Sequence, residues 1–292
     1  MYGAAQVFAH AVRDLRRRTA IPPSPLNLKL VAHRLSHLRR TDPRGFHVAT
    51  RNGRIAAFAS TILREKVHFL SMFWALPSLQ SHGVGQQLLH RAFEAPRPAP
   101  GATRCVYASF DFRAQRLYTK FGMVPRTMIY GLGSSAIELP KPPLTPVELV
   151  QVGRPGEVTP EALALAAAID RRVRGCRRDA DIRFTLSEKG TRFFEAQEDG
   201  DAVGYVMVMA DGMVGPGGVI DRRYNEGLAW SALAAVKDLK PKRMRMQVAG
   251  LNHEALELAF RAGMRVTFMG AWMSEREVGK LECYFATAGD IF

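Results

Sequence analysis

The chain has 292 residues, which at roughly 150 per domain suggests two domains. Apolar residues make up 47%, enough for packed cores, so a disordered protein is excluded; no apolar run reaches the ~18 residues of a membrane span. The net charge of +14 suits phosphates, nucleic acid or acidic metabolites as partners, and reads equally as the codon bias of a GC-rich genome.

Three cysteines (Cys105, Cys176 and Cys283) form an odd set without C-x-x-C spacing. Neither a disulfide framework nor a structural zinc site is expected, and a cytoplasmic setting fits. The first residues lack a basic stretch followed by an apolar core, so no signal peptide is predicted.

The first predicted element is a helix in which Val7, Phe8, Val12 and Leu15 share a face. Arg16–Arg18 and the prolines after them mark its end. No strand precedes it, so either the unit begins there or a leading segment is missing. A second amphipathic helix is predicted over 28–39. Residues 45–60 read as two strands about Asn52-Gly53, a strong hairpin signal. A strand over 67–76, a glycine-bearing loop, a helix over 84–94, a strand over 105–109, a helix over 112–121 and strand-like residues 124–132 complete the first half.

A proline- and glycine-rich stretch follows, with VELVQV inside it as a candidate first strand of the second half. The expected division is a domain at 1–133, a linker at 134–158 and a second domain at 159–292. The second half repeats the order: a helix over 160–174, two strands about Asp199-Gly200, MVGPGGVI, a helix over 226–237, the strand MRMQVAG, the helix HEALELAFRAG and the strand MRVTFMGAWM. Asp111 leads to Gly122-Met123 and Asn252 to Gly263-Met264 at the same spacing, which reads as one ancestral unit used twice.

The sharpest feature is the loop around Gln80-Ser81-His82-Gly83-Val84-Gly85-Gln86, directly after a strand and opening a helix. Glycines let backbone N–H groups approach a phosphate, and the helix N-terminus adds positive potential. A single G-x-G is a weak signal; the strand–loop–helix setting strengthens it.

This arrangement resembles the GNAT superfamily of acyl-CoA-dependent N-acyltransferases, whose [QR]-x-x-G-x-[GA] motif appears as Gln80 to Gly85. The family's second motif, Asn-x-x-Ala-x-x-Leu-Tyr-x-x-x-Gly-Phe, appears as Asp111 to Met123. The resemblance covers residues 1–133 well and 150–292 more weakly. It implies an α/β (α+β) fold of two tandem GNAT-like units, each a mixed, mostly antiparallel sheet flanked by helices. It implies acetyl-CoA as co-substrate, with no metal, and direct transfer of an acetyl group to a primary amine. Gln80, Ser81, His82, Gly83, Val84, Gly85 and Gln86 would hold the pyrophosphate, and Phe73, Trp74 and Ala75 would pair with the pantetheine arm. Tyr118 would protonate the leaving thiolate. Asp111 would lie near the cofactor, where the family's Asn is replaced by a carboxylate.

Where the family often has a base-assisting Glu, this chain has Ser71. His68, His47, Glu65 and a water relay remain open as the base. The second half has no Gly-x-Gly pair in its equivalent loop, and Ala259 stands in the position of Tyr118. That half is expected to be non-catalytic.

His33 and His37 read as solvated histidines, the Arg171–Arg178 cluster as a solvated helix end, and Met207, Met209, Met213, Met244 and Met246 as core or pocket lining. Trp74, Trp230 and Trp272 read as core or cleft aromatics. A small-molecule amine is the expected partner, with no membrane and with a homodimer left open. The alternatives are a CoA- or ligand-binding protein without catalysis and an acyltransferase engaging RNA or another polyanion.

Overall fold

The computed structural model describes residues 1–19, 25–80 and 83–291, which divide into two compact units: Met1–Val124 with Met273–Arg276, and Pro125–Trp272 with Glu277–Phe292. These bounds differ from the sequence-based division at 133. Residues beyond Val124 pair with a strand of the second half, so the hydrogen-bond partner and not the chain order assigns them.

The first unit opens with α1 (Tyr2–Arg18) and α2 (Leu28–Thr41). α1 buries Ala4, Ala5, Val7, Ala9, Val12 and Leu15, the stripe its helical spacing requires, and ends on three arginines that suit the negative end of its dipole. α2 is capped by Asn27, whose side chain accepts from the Leu30 N–H at 3.2 Å. His37 on α2 is buried at 2% exposure and is not a solvated residue as expected; the apolar face of α2 (Leu35, Leu38) carries it inward.

The sheet of this unit has the order β1 (Phe46–Arg51), β2 (Arg54–Arg64), β3 (Val67–Ala75), β4 (Thr103–Ala108). Asn52 and Gly53 both take positive φ, as a two-residue hairpin between β1 and β2 demands. β2 pairs antiparallel with β3, and β3 pairs parallel with β4 only over Val67–Leu70 against Thr103–Val106. The β2–β3 register skips at Ser71, since Thr61 faces Leu70 and Ser60 faces Met72. Such a bulge bends its strand, and beyond it β3 leaves β4. The helix α3 (Val84–Glu94) connects these two strands, and α4 (Phe112–Thr119) follows β4.

The second unit has a mostly antiparallel sheet ordered β11-β5-β10-β12-β9-β8-β7-β6. Its strands are β5 (Val124–Ser134), β6 (Glu148–Gln151), β7 (Arg192–Glu198), β8 (Asp201–Val208), β9 (Met213–Val219), β10 (Met244–Ala249), β11 (Arg265–Ser274) and β12 (Tyr284–Ala286). The VELVQV segment does form a strand, β6. The helices are α5 (Pro160–Val173), α6 (Asp179–Leu186), α7 (Asn225–Asp238) and α8 (His253–Arg261). Neither α6 nor β12 is legible as an element in the sequence.

The repeated motif has a local explanation in both units. Asp111 caps α4 by accepting from the Arg113 N–H at 3.1 Å, and Asn252 caps α8 by accepting from the Ala255 N–H at 3.2 Å. Gly122 and Gly263 take the left-handed conformation that ends each segment. The Arg171–Arg178 stretch is not a solvated helix end throughout. Arg174 and Arg178 are buried, at 1% and 3% exposure, because Asp170 and Tyr205 lie inside the unit to receive Arg178 and the Trp272 ring receives Arg174 at 4.8 Å. Of the methionines, Met207, Met213, Met244 and Met246 are core.

Candidate active site

β3 pairs with β4 no further than Leu70, and among the described residues no strand pairs with the β4-facing edge of Phe73–Ala75. A cleft of about 390 Å³ opens there, lined by Phe73, Ala75, Leu79, Gln80, Gly83, Gly85, Gln86, Asp111, Arg113, Ala114, Arg116, Leu117 and Lys120. Seven of the sequence-predicted residues thus come together: Phe73, Ala75, Gln80, Gly83, Gly85, Gln86 and Asp111. Ser81 and His82 lie outside the described residues.

Trp74, Val84 and Tyr118 are not part of the lining. Side chains alternate along a strand, so with Phe73 and Ala75 in the cleft Trp74 faces the other way, where its ring meets Phe8 edge-on at 5.0 Å. Tyr118 is buried at 6% exposure and packs edge-on to Phe73, with ring centroids 6.3 Å apart. Burial, with the Asp111 carboxylate adding to it, raises the Tyr118 pKa well above its ordinary value, so the phenol keeps its proton at neutral pH.

Two glycines do different work. Gly83 takes φ of +79° at the N-cap of α3, and a Cβ there would meet nothing within 4 Å. Gly85 lies against the Phe73 ring, where a Cβ would come within 2.8 Å of Cζ. Among the described residues α3 has no acidic residue in its first turn and no side-chain cap, and the positive end of its dipole lies at the loop. The Gln80 amide donates to the Ala75 carbonyl at 3.1 Å, which fixes the loop to the end of β3.

Three cleft cations were not singled out in the sequence. Arg113 and Arg116 on α4 and Lys120 at its C-cap sit at successive spacings of three and four residues, one helical face, and that spacing is the signal that reveals them. Asp111 does not leave a bare negative charge at the cleft. Its oxygens receive Arg113 at 3.1–3.2 Å and Arg18 at 3.1 Å. Burial works to raise its pKa, but these arginine bonds outweigh it and the value is lowered.

The three candidate base residues do not converge on the cleft. His68 lies five residues before Phe73, about 17 Å along the strand. Burial and the nearby Arg104 lower its pKa to about 4, and both of its ring nitrogens lack a hydrogen-bond partner. Glu65 is in the turn at the same far end. His47 is level with Phe73 but two strands away, through Ala59, and its Nε2 is engaged with the Arg44 carbonyl at 2.8 Å. Among the described residues, no group of three or more His, Cys, Asp or Glu side chains could hold a metal, and no helix is long and apolar enough to cross a membrane.

Residues 9–123 match the acetyltransferase (GNAT) family. No curated protein matches the chain. Among solved structures, a Pyrococcus horikoshii protein assigned as an acetyltransferase shares 18% identity, covering 99% of this chain and 88% of its own, with a TM-score of 0.68. A GCN5-related N-acetyltransferase from Sphaerobacter thermophilus shares 16% identity over 96% and 94% of the two chains, with a TM-score of 0.62. A tandem GNAT protein from the clavulanic acid biosynthesis pathway shares 15% over 93% and 94%, with a TM-score of 0.55. These levels of identity speak to the fold, which extends over nearly the whole chain. Residues 9–123 therefore carry the match to the GNAT acetyltransferase family, and over its length the chain is similar in fold to solved GNAT proteins, one of them a tandem GNAT protein.

Proposed function

We propose that the first unit binds acetyl-CoA in the β3/β4 cleft and transfers its acetyl group to a primary amine of a small-molecule acceptor. The observation that carries this reading is the joining of three features in one cleft: a strand edge at Phe73–Ala75 that β4 does not pair, a helix N-terminus, and three cations on α4 and its C-cap. A pyrophosphate fits the amides opening α3 together with Arg113, Arg116 and Lys120. An arm bearing amides fits the free edge of Phe73–Ala75. Acetyl-CoA supplies the activated acyl group as a thioester.

The chain's own contribution is positional and electrostatic. Holding the two reactants together converts a bimolecular encounter into an intramolecular step, and an N–H of the free β3 edge polarises the acyl carbonyl. Tyr118, protonated at neutral pH, is the proposed donor to the leaving thiolate through the site beside Phe73. Among the described residues the cleft lining holds one carboxylate, the arginine-bound Asp111, and no histidine.

The reading is tested by the thermal shift with acetyl-CoA for the wild type and Gly85→Trp. Ligand at about 100 times its dissociation constant stabilises by roughly 2.7 kcal/mol. A rise in the wild type that is lost in the variant supports the cleft, and turnover with a panel of amines then separates an enzyme from a binding protein. No rise at millimolar ligand rejects the proposal.

A further inference from the structure

The two units share the order strand, short helical turn, helix, strand, helix: β3, α3, β4 and α4 in the first, β9, α7, β10 and α8 in the second. In both, the parallel pair is short. β9 and β10 pair only at Met213–Val214 against Arg245–Met246 and then part, as β3 and β4 do beyond Leu70 and Val106.

In the second unit the gap is filled by the chain itself. β12 enters it and pairs antiparallel with both sides, Tyr284 and Phe285 with Gly218 and Gly217, and Phe285 and Ala286 with Val248 and Gln247. We propose that the C-terminal segment, through β12, is a built-in occupant of the second unit's counterpart of the acyl-CoA cleft, so that the chain takes one acyl-CoA, in its first unit. The assignment of that counterpart rests on the first-unit cleft described above.

Three observations support it. The segment is anchored along its length: the Lys280 N–H donates to the Val173 carbonyl at 3.0 Å, Asn225 at the start of α7 donates through Nδ2 to the Glu282 carbonyl at 2.8 Å, and Arg178 donates to the Ile291 carbonyl at 3.3 Å. The contact at Asn225 falls at the helix start that corresponds to the glycine loop of the first unit. Next, β9 makes room for the segment. A Cβ at Gly215 would stand 2.5 Å from the Ala286 carbonyl oxygen, and one at Gly218 would stand 3.1 Å from that of Cys283. Finally, Tyr284, Phe285 and Ala286 are all at 1% exposure or less.

The physical reason is the cost of parted strands. Two strands that diverge inside a unit leave N–H and C=O groups that need partners. In the first unit a ligand can supply them; in the second, β12 does so. An occupant on the same chain acts at an effective concentration of order millimolar or higher, which a ligand must exceed to displace it.

The test uses the full wild-type chain: native mass spectrometry counts bound CoA, and amide hydrogen exchange follows Tyr284–Ala286 with and without it. The expected result is one CoA per chain, with Tyr284–Ala286 exchanging as slowly as the amides of β10 and at a rate CoA leaves unchanged. Two CoA per chain, exchange at loop-like rates without ligand, or a tenfold acceleration on adding CoA would each overturn the proposal. No bound CoA with slow exchange rejects the first-unit reading and leaves the filled second cleft standing.

Discussion

Gly85 lies so close to Phe73 that a β-carbon on it would come within 2.8 Å of the ring. The loop that opens α3 and the strand edge that bounds the cleft are therefore set against each other by the absence of one side chain. Gly85→Ala is expected to push Phe73 aside and weaken acetyl-CoA binding roughly tenfold. Gly83→Ala is expected to leave binding near that of the wild type and to cost about 1 kcal/mol of stability, because its space is open and only its positive φ is strained. Isothermal titration and thermal melts of the two variants separate these effects.

Replacing Tyr118 with Phe keeps the ring against Phe73 and removes the phenolic proton. The expected outcome is a fall in kcat of roughly 10²-fold or more, with KM for acetyl-CoA little changed. Steady-state kinetics with any accepted amine decides it; an unchanged kcat removes Tyr118 from the chemistry.

The α4 cations should act through charge. Arg116→Ala and Lys120→Ala are each expected to raise the KM for acetyl-CoA about three- to tenfold. The salt dependence of binding should become shallower, since each variant removes one potential phosphate contact. Titrations at two ionic strengths test this, and a variant with wild-type affinity and slope shows that its side chain does not meet the ligand.

His68 predicts a pH effect on stability. Its folded pKa of about 4 lies below the ordinary 6.5, so between those values the unfolded chain takes up a proton that the folded one refuses. The stability it allows is complete above pH 6.5 and falls as pH drops towards 4, by about 2 kcal/mol between pH 7 and pH 5. Denaturant unfolding of the wild type and His68→Gln across this range should show the difference between them changing by that amount. Parallel pH profiles would show that His68 does not titrate as its burial implies.

Asp170 is fully buried and receives Arg178 at 3.0 and 3.2 Å and the Tyr205 hydroxyl at 2.8 Å. Asp170→Ala leaves the Arg178 charge buried without its partner, and a loss of roughly 3–5 kcal/mol is expected by chemical denaturation. Because Arg178 also holds the Ile291 carbonyl, faster hydrogen exchange over the C-terminal residues should accompany it.

The sequence by itself determined the elements whose cause is local. Asn52-Gly53 specifies a hairpin because both residues accept positive φ, and Asp111 and Asn252 with their glycines specify two capped helices of one pattern. The glycine loop after a strand pointed to Gln80, Gly83, Gly85 and Gln86 for the same reason, while Phe73, Ala75 and Asp111 came from the family resemblance. Tertiary structure decided what depends on distant partners. The strand beginning at Val124 joins β10 rather than its own half, β12 finds a place only between two strands that have already parted, and a three-residue strand has no periodicity to read. Arg178 is buried because Asp170 and Tyr205 meet it inside the second unit, and Arg174 because the Trp272 ring does. Asp111 is neutralised partly by Arg18, 93 residues away in the chain. Backbone conformation is set within a few residues, whereas pairing, burial and charge compensation are set by whichever groups the fold brings together.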